Sequence, residues 1–175
     1  MKKTVLIILL LCAVCVWPLF IKNAGDYLKS GSEHFAKDDY DPAIADFTKA
    51  IKLKHDYAEA YFGRGSAYFF QEDWDKAFAD FNKAIRLNPG YADALFLRGS
   101  AYFVKKEYDK AIEDYTEVIT LIPDYAEAFL CRGIVYFEKN DYDKAIADFE
   151  TALSIKPDYA EAKEGLEQAK QARGD

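Results

Sequence analysis

The groups with chemistry to offer in this 175-residue chain are two histidines, three cysteines, 30 carboxylates and a set of evenly spaced arginines. His34 and His55 are not spaced for a metal, and no Cys or acid cluster completes a set of converging ligands with them. The scattered serines have no base at the offsets of a Ser–His–Asp relay. No Gly-rich loop follows a strand, so a phosphate cradle is missing too. Paired carboxylates abound, but they lie on polar surfaces with no closed pocket to shift their pKa values. Cys12 and Cys15 form a Cys-x-x-Cys inside an apolar run. A redox pair fits the spacing, and small polarizable residues of a membrane helix fit the surroundings, which weigh more. Lipid attachment would want a small residue before the cysteine, where Leu11 and Val14 stand. Cys131 is alone. These residues point away from an enzyme and call for no cofactor and no metal.

The elements that position them come from a period. Residues 24–57, 58–91, 92–125 and 126–159 register under one another without a gap. Tyr61, Gly65, Tyr68, Ala77, Phe81, Ala84 and Pro89 recur as Leu95, Gly99, Tyr102, Ala111, Tyr115, Val118 and Pro123, then as Phe129, Gly133, Tyr136, Ala145, Phe149, Ala152 and Pro157. A fixed period of about 34 residues means a solenoid of stacked helix pairs. Such an array has no buried catalytic pocket by default, and a long curved face instead.

These motifs resemble the tetratricopeptide repeat (TPR) family over residues 24–159. The resemblance implies an all-α, TPR-type α-solenoid of four helix-turn-helix repeats. The first repeat (24–57) diverges most, with Ser30, His34 and His55 at motif positions. The family leucine is arginine at Arg64, Arg98 and Arg132. Residues 160–175 begin a fifth block and turn polar, which reads as a capping helix and tail, with Gln168, Lys170, Gln171 and Arg173 over the next stacking face. The terminal Arg173-Gly174-Asp175 matches an adhesion tripeptide by chance.

Within a block, the first helix is expected over about Ala58–Gln71. Asp75, with Asp41, Asp109 and Asp143, is expected to cap the second helix, and Pro42 to take its first position. That helix ends before Asn88-Pro89. The column Gly31, Gly65, Gly99, Gly133 implies close backbone approach, placed here against the Ala77 column. Arg64, Arg98 and Arg132 pair in pattern with Asp46, Asp80, Asp114 and Asp148. A ladder of partly buried ion pairs is favoured over capture of an acidic ligand. The sequence leaves open which block's Asp each Arg meets.

The resemblance also implies that first-helix residues line the concave wall. Carried onto this chain, the partner-binding groove comprises Phe62, Ser66, Phe69, Phe96, Ser100, Phe103, Leu130 and Phe137, with Leu28, Ser32 and Phe35 from the first block. Glu59, Asp93 and Glu127 edge it, and Phe70, Val104, Ile134 and Glu138 complete it. A row of exposed Phe marks an interaction site, though Phe69 and Phe103 have neighbouring repeats to pack on. Leu28, Ser32, Gly63, Asp93 and Leu97 stand where some relatives place the Lys, Asn and Arg that clamp a C-terminal carboxylate. That clamp is therefore not expected. The expected partner is another protein, through an apolar or aromatic, basic-flanked peptide or helix.

Val5–Ile21 is an unbroken apolar run behind Lys2 and Lys3. As a helix its 17 residues span roughly 26 Å, just short of a hydrocarbon core of about 30 Å. It reads as a signal anchor (1–23) touching the membrane through residues 5–21, or as a cleaved signal peptide. Trp17, Pro18 and Phe20 suit the anchor. Either way the repeats are delivered to the non-cytoplasmic side, tethered, or periplasmic or secreted. Removing Lys2, Lys3 and Lys22 from 23 basic residues leaves 20 against 30 acids, about −10 for the repeats. That sign disfavours nucleic acid. No small-molecule substrate is implied. The chain thus reads as a non-catalytic protein-interaction scaffold. A self-associating spacer or an accessory subunit of an envelope complex is the alternative.

Overall fold

The computed structural model describes residues 22–174; the apolar run Val5–Ile21, Cys12, Cys15 and Asp175 lie outside them. Nine α-helices and no strand occur among the described residues: α1 (Ala24–Phe35), α2 (Tyr40–Leu53), α3 (Ala58–Phe70), α4 (Trp74–Leu87), α5 (Ala92–Val104), α6 (Tyr108–Leu121), α7 (Ala126–Glu138), α8 (Tyr142–Ile155) and α9 (Ala160–Arg173). None of these helices is long and apolar enough to cross a membrane.

Consecutive helices pack as antiparallel pairs. Odd-numbered helices also touch one another (α1 with α3, α3 with α5, α5 with α7, α7 with α9), whereas even-numbered helices touch only their sequence neighbours. The odd helices are therefore the inner layer of a curved array, and the even helices the outer. Between the layers runs a column of buried rings, Phe47, Phe81, Tyr115 and Phe149, flanked by buried Ala50, Ala84, Val118 and Ala152. Each buried ring contributes roughly 1.5–3 kcal/mol of apolar burial.

The recurrent glycines serve that column. A Cβ on Gly65 would sit 3.0 Å from Phe81 and 3.1 Å from the Asp80 Cβ; one on Gly133 would sit 2.8 Å from Phe149. The close partner is thus the ring of the paired helix and not the Ala77 column, which is buried in its own right.

Turns inside the pairs close by a second recurring device. One residue past the C-cap (two in the first repeat) the backbone is left-handed without being glycine: Asp38 (φ 59°), Glu72 (φ 61°), Lys106 (φ 59°) and Asn140 (φ 59°). The next amide reaches back five residues, as from Asp73 N to the Tyr68 carbonyl (2.9 Å) and from Glu107 N to the Tyr102 carbonyl (2.8 Å). This is the Schellman closure that normally selects glycine. Lys106→Gly and Glu72→Gly are each expected to raise stability by about 0.5–1 kcal/mol, since relief of left-handed strain outweighs glycine's entropy. Urea unfolding of the single and double variants checks both the gain and its additivity.

The even helices start earlier than the sequence suggests. Their caps are Asp39, Asp73, Glu107 and Asp141, and Asp73 accepts from the Lys76 amide at 3.5 Å. Asp41, Asp75, Asp109 and Asp143 fall inside the first turn, and Pro42 becomes the third residue of α2. There the aspartates bind the next repeat: Gln71 donates to Asp41 (2.7 Å), Lys105 meets Asp75 (3.5 Å), Lys139 meets Asp109, and Arg173 meets Asp143 (2.8 Å). These pairs are exposed and individually worth little. The first helix ends at Phe70, and Asn88 before Pro89 is extended (φ −138°, ψ 93°) as expected.

On α9, Ala162 and Ala169 are buried against the array. Gln168 and Gln171 face solvent. Lys170 and Arg173 instead reach back to Glu150 (3.6 Å) and Asp143 (2.8 Å) on α8.

Candidate functional site

The inner layer presents the wall on which the groove residues were placed. Phe62 and Phe96 are half-buried, each against the tyrosine that closes its repeat. Phe62 lies 4.9 Å from Tyr91 between ring centroids, and Phe96 lies 5.4 Å from Tyr125 and 5.5 Å from Tyr115. Phe69 meets Trp74 edge-on at 5.2 Å, Phe103 lies 6.0 Å from Tyr108, and Phe137 lies 5.5 Å from Tyr142. Ser66 and Leu130 are buried, with 4% and 7% of their surface exposed. The Ser66 hydroxyl donates to the Phe62 carbonyl (2.9 Å), and Ser100 donates to Phe96 (3.0 Å) and meets the Tyr115 hydroxyl (3.0 Å). The wall is therefore a set of stacked rings and not a row of free phenylalanines with open hydroxyls between. The apolar side chains that do stand out are Phe70 and Val104, each 52% exposed, at the C-terminal ends of α3 and α5. Phe70 stacks on Tyr40 and leans on Phe35 and Phe69.

A concavity opens in this wall. Between α1 and α3 a cleft of about 260 Å³ is lined by Leu28, Ser32, Phe35, Phe47, Glu59, Phe62, Gly63, Ser66 and Tyr91. Gly63 makes it. Phe47 lies so close that a Cβ on Gly63 would be 2.6 Å from its Cζ. The same place in the next two repeats holds Leu97 and Cys131. The volume falls below the roughly 300–1,000 Å³ of small-molecule pockets and suits one or two side chains of a larger partner.

The charged groups nearby divide into spent and unspent. Each repeat arginine meets the aspartate of its own block: Arg64 Nε and Nη2 donate to Asp80 (2.7 and 2.8 Å), Arg98 to Asp114 (2.8 and 2.6 Å), Arg132 to Asp148 (2.8 and 2.8 Å). The remaining Nη1 crosses to the preceding block, to Thr48 (3.1 Å), Asn82 (2.6 Å) and Thr116 (3.0 Å). The guanidinium groups thus bolt repeats together and are not free for a ligand. In the first block Ser30 replaces arginine and, with Lys49, donates to Asp46 (2.7 and 2.9 Å). By contrast Glu59 and Asp93, at the groove edge, form no ion pair among the described residues and are exposed. Burial, followed by the charges of Asp93 and Glu59, pushes the Tyr91 hydroxyl up to about 12.

His34 and His55 stay apart. His55 Nδ1 contacts the Ile51 carbonyl (2.9 Å), and His34 Nδ1 stands 4.0 Å from Asp39. No group of three His, Cys, Asp or Glu residues is arranged to hold a metal among the described residues. Burial pushes the Cys131 thiol up to about 11, which keeps it protonated and unreactive at neutral pH. Sequence reasoning missed Tyr91, Tyr125 and the Gly63 cleft. The tyrosines were visible as the recurring last residue of each block, and the cleft as the contrast of Gly63 with Leu97 and Cys131.

Tetratricopeptide repeat models match residues 65–126 and 126–159, and a TPR repeat model matches residues 31–71. Two crystal structures of MamA superpose with TM-scores of 0.80 and 0.77. Their identities are 29% and 30%, over 86% and 82% of this chain and 82% and 84% of theirs. The first TPR of Spaghetti (RPAP3), bound to the HSP90 peptide SRMEEVD, superposes with a TM-score of 0.65. Its identity is 28%, over 67% of this chain and 94% of that one. No curated protein matches the chain significantly.

Proposed function

The chain belongs to the tetratricopeptide repeat family, and from that premise we infer that it is a non-catalytic scaffold whose concave face holds a segment of a partner protein. The observation that carries this reading is the cleft between α1 and α3, apolar in its walls and acidic at its edge. Its size and its place on the inner layer suit an aromatic or large aliphatic side chain from a peptide or helix. The RPAP3 domain was solved with an acidic peptide. Here Leu28, Ser32, Gly63, Asp93 and Leu97 offer no cation on that wall, and the repeat arginines are already spent. An acidic ligand is therefore a poor match.

The apolar run at residues 5–21, behind Lys2 and Lys3, supports tethering of this scaffold on the non-cytoplasmic face of a membrane. Labelling of a cysteine introduced at exposed Glu113 by an impermeant reagent in intact cells tests that placement.

Ser32 is exposed and its hydroxyl bonds only its own helix, at the Leu28 carbonyl (3.0 Å). Ser32→Trp is expected to fill the cleft without disturbing the ring column. Recovery of the partner by affinity capture should then fall at least about tenfold, as when a buried apolar anchor is lost, with the melting temperature unchanged. Undiminished capture would remove the cleft from the binding face. This variant replaces the more obvious Phe62→Ala, because loss of the Phe62–Tyr91 stack would itself lower stability.

A further inference from the structure

Each repeat closes on a tyrosine, and the four tyrosines keep different company. In the last repeat Lys156 Nζ lies 4.3 Å from the Tyr159 ring centroid and 3.9 Å from Glu127. In the first, Lys54 Nζ lies 4.2 Å from the Tyr57 centroid. The corresponding residues of the two middle repeats are Asn88 and Ile122. Tyr91 and Tyr125 therefore lack the lysine, while the acids equivalent to Glu127 remain near enough to act on them electrostatically, Glu59 on Tyr91 and Asp93 on Tyr125. Glu59 and Tyr91 also line the cleft, so the two features form one continuous surface.

We propose that the Tyr91–Glu59 and Tyr125–Asp93 pairs are receiving sites for lysine or arginine side chains of the partner. The bound segment then seats one apolar side chain beside Phe62 and places a cation on each middle repeat. This rests on the concave-face reading and adds the chemistry of the occupant. The chain displays the intended geometry itself, since Lys156 on Tyr159 and Glu127 is the same arrangement filled from within. A cation over a tyrosine face gains from the ring quadrupole, and an adjacent unpaired carboxylate adds Coulomb attraction. With their hydroxyls held above the ordinary range by burial and nearby acids, Tyr91 and Tyr125 remain neutral phenols at neutral pH. The unpaired acids repel phosphate polyanions, so the fitting occupant is a basic protein segment and not a nucleic acid or an anionic lipid surface.

The test pans a phage-displayed library of random dodecapeptides against the full-length chain in detergent micelles. Winners are expected to carry an aromatic or large aliphatic residue flanked by Lys or Arg. Their affinity should fall about tenfold or more in Asn88→Lys/Ile122→Lys, which supplies the missing lysines from within. Glu59→Gln/Asp93→Asn, which keeps side-chain size, should weaken them too and serves if the lysine variant fails to fold. Winners that are lost on Ser32→Trp yet lack basic residues, or that ignore both double variants, overturn the cation sites and leave the concave-face reading standing. Winners indifferent to Ser32→Trp, or an absence of winners, overturn that reading and this inference with it.

Discussion

Arg98→Ala is expected to destabilise the protein by about 3 kcal/mol, the low end for breaking a buried ion pair by removing one partner. Arg98 holds Asp114 through two hydrogen bonds (2.8 and 2.6 Å), and the Asp114 side chain is only 7% exposed. Alanine leaves that carboxylate charged, desolvated and without a counter-ion, and it also leaves Asn82 without its donor. Part of the loss should return in Arg98→Ala/Asp114→Ala, where no charge is stranded. The pH dependence has a definite sign. Burial already raises the Asp114 pKa above its ordinary 3.8, against the opposing pull of Arg98. Without the arginine the folded-state value rises further. The folded form then binds more protons than the unfolded form between the two values, so stability is regained as pH falls through the folded pKa. The deficit of the variant relative to the parent should therefore shrink from neutral pH toward about pH 4.5. Urea unfolding of parent and variant at the two pH values checks this. A deficit independent of pH would mean that Asp114 is not the stranded group.

Gly99→Leu is expected to cost roughly 1–3 kcal/mol or more by overpacking. A Cβ at Gly99 would lie 3.1 Å from Tyr115 Cε1 and 3.2 Å from the Asp114 Cβ, and Tyr115 is buried on all sides with its hydroxyl against Ser100. Gly63→Ala should show the same effect with a smaller side chain, because its Cβ would fall 2.6 Å from the buried Phe47 ring. Gly90→Ala, whose Cβ meets nothing closer than 3.8 Å, is the matched control and should melt with the parent. Equal melting of all three would remove the ring column as the determinant of helix spacing.

What the sequence disclosed and what it withheld follow from the physics of each. The helix pairs and their ends at Pro89, Pro123 and Pro157 were legible because period and proline act locally. The Arg–Asp ladder was legible as two columns on one period, but not in its connectivity. The side chain of Arg64 reaches its own block's Asp80 and the preceding Thr48 at once, and spacing alone does not choose between them. The caps were misplaced because two or three acids cluster at each turn, as in Glu72-Asp73-Trp74-Asp75. Only the left-handed Glu72 decides which of them starts the helix. The groove was overdrawn as a file of free phenylalanines because contacts between a first helix and the closing tyrosine of its block are tertiary. The pairing of Phe62 with Tyr91 crosses a whole repeat. The cleft between α1 and α3 includes Gly63, whose missing side chain lets the Phe47 ring come close.

The concave face is tested most directly by a photoreactive residue placed at Ser32 on the inner layer and, separately, at Glu113 on the outer one, in intact cells. The account predicts a protein adduct from Ser32 that a basic, aromatic-bearing peptide displaces, with none from Glu113. Equal labelling from both positions, or an adduct from Ser32 that consists of a second copy of this chain, would contradict it.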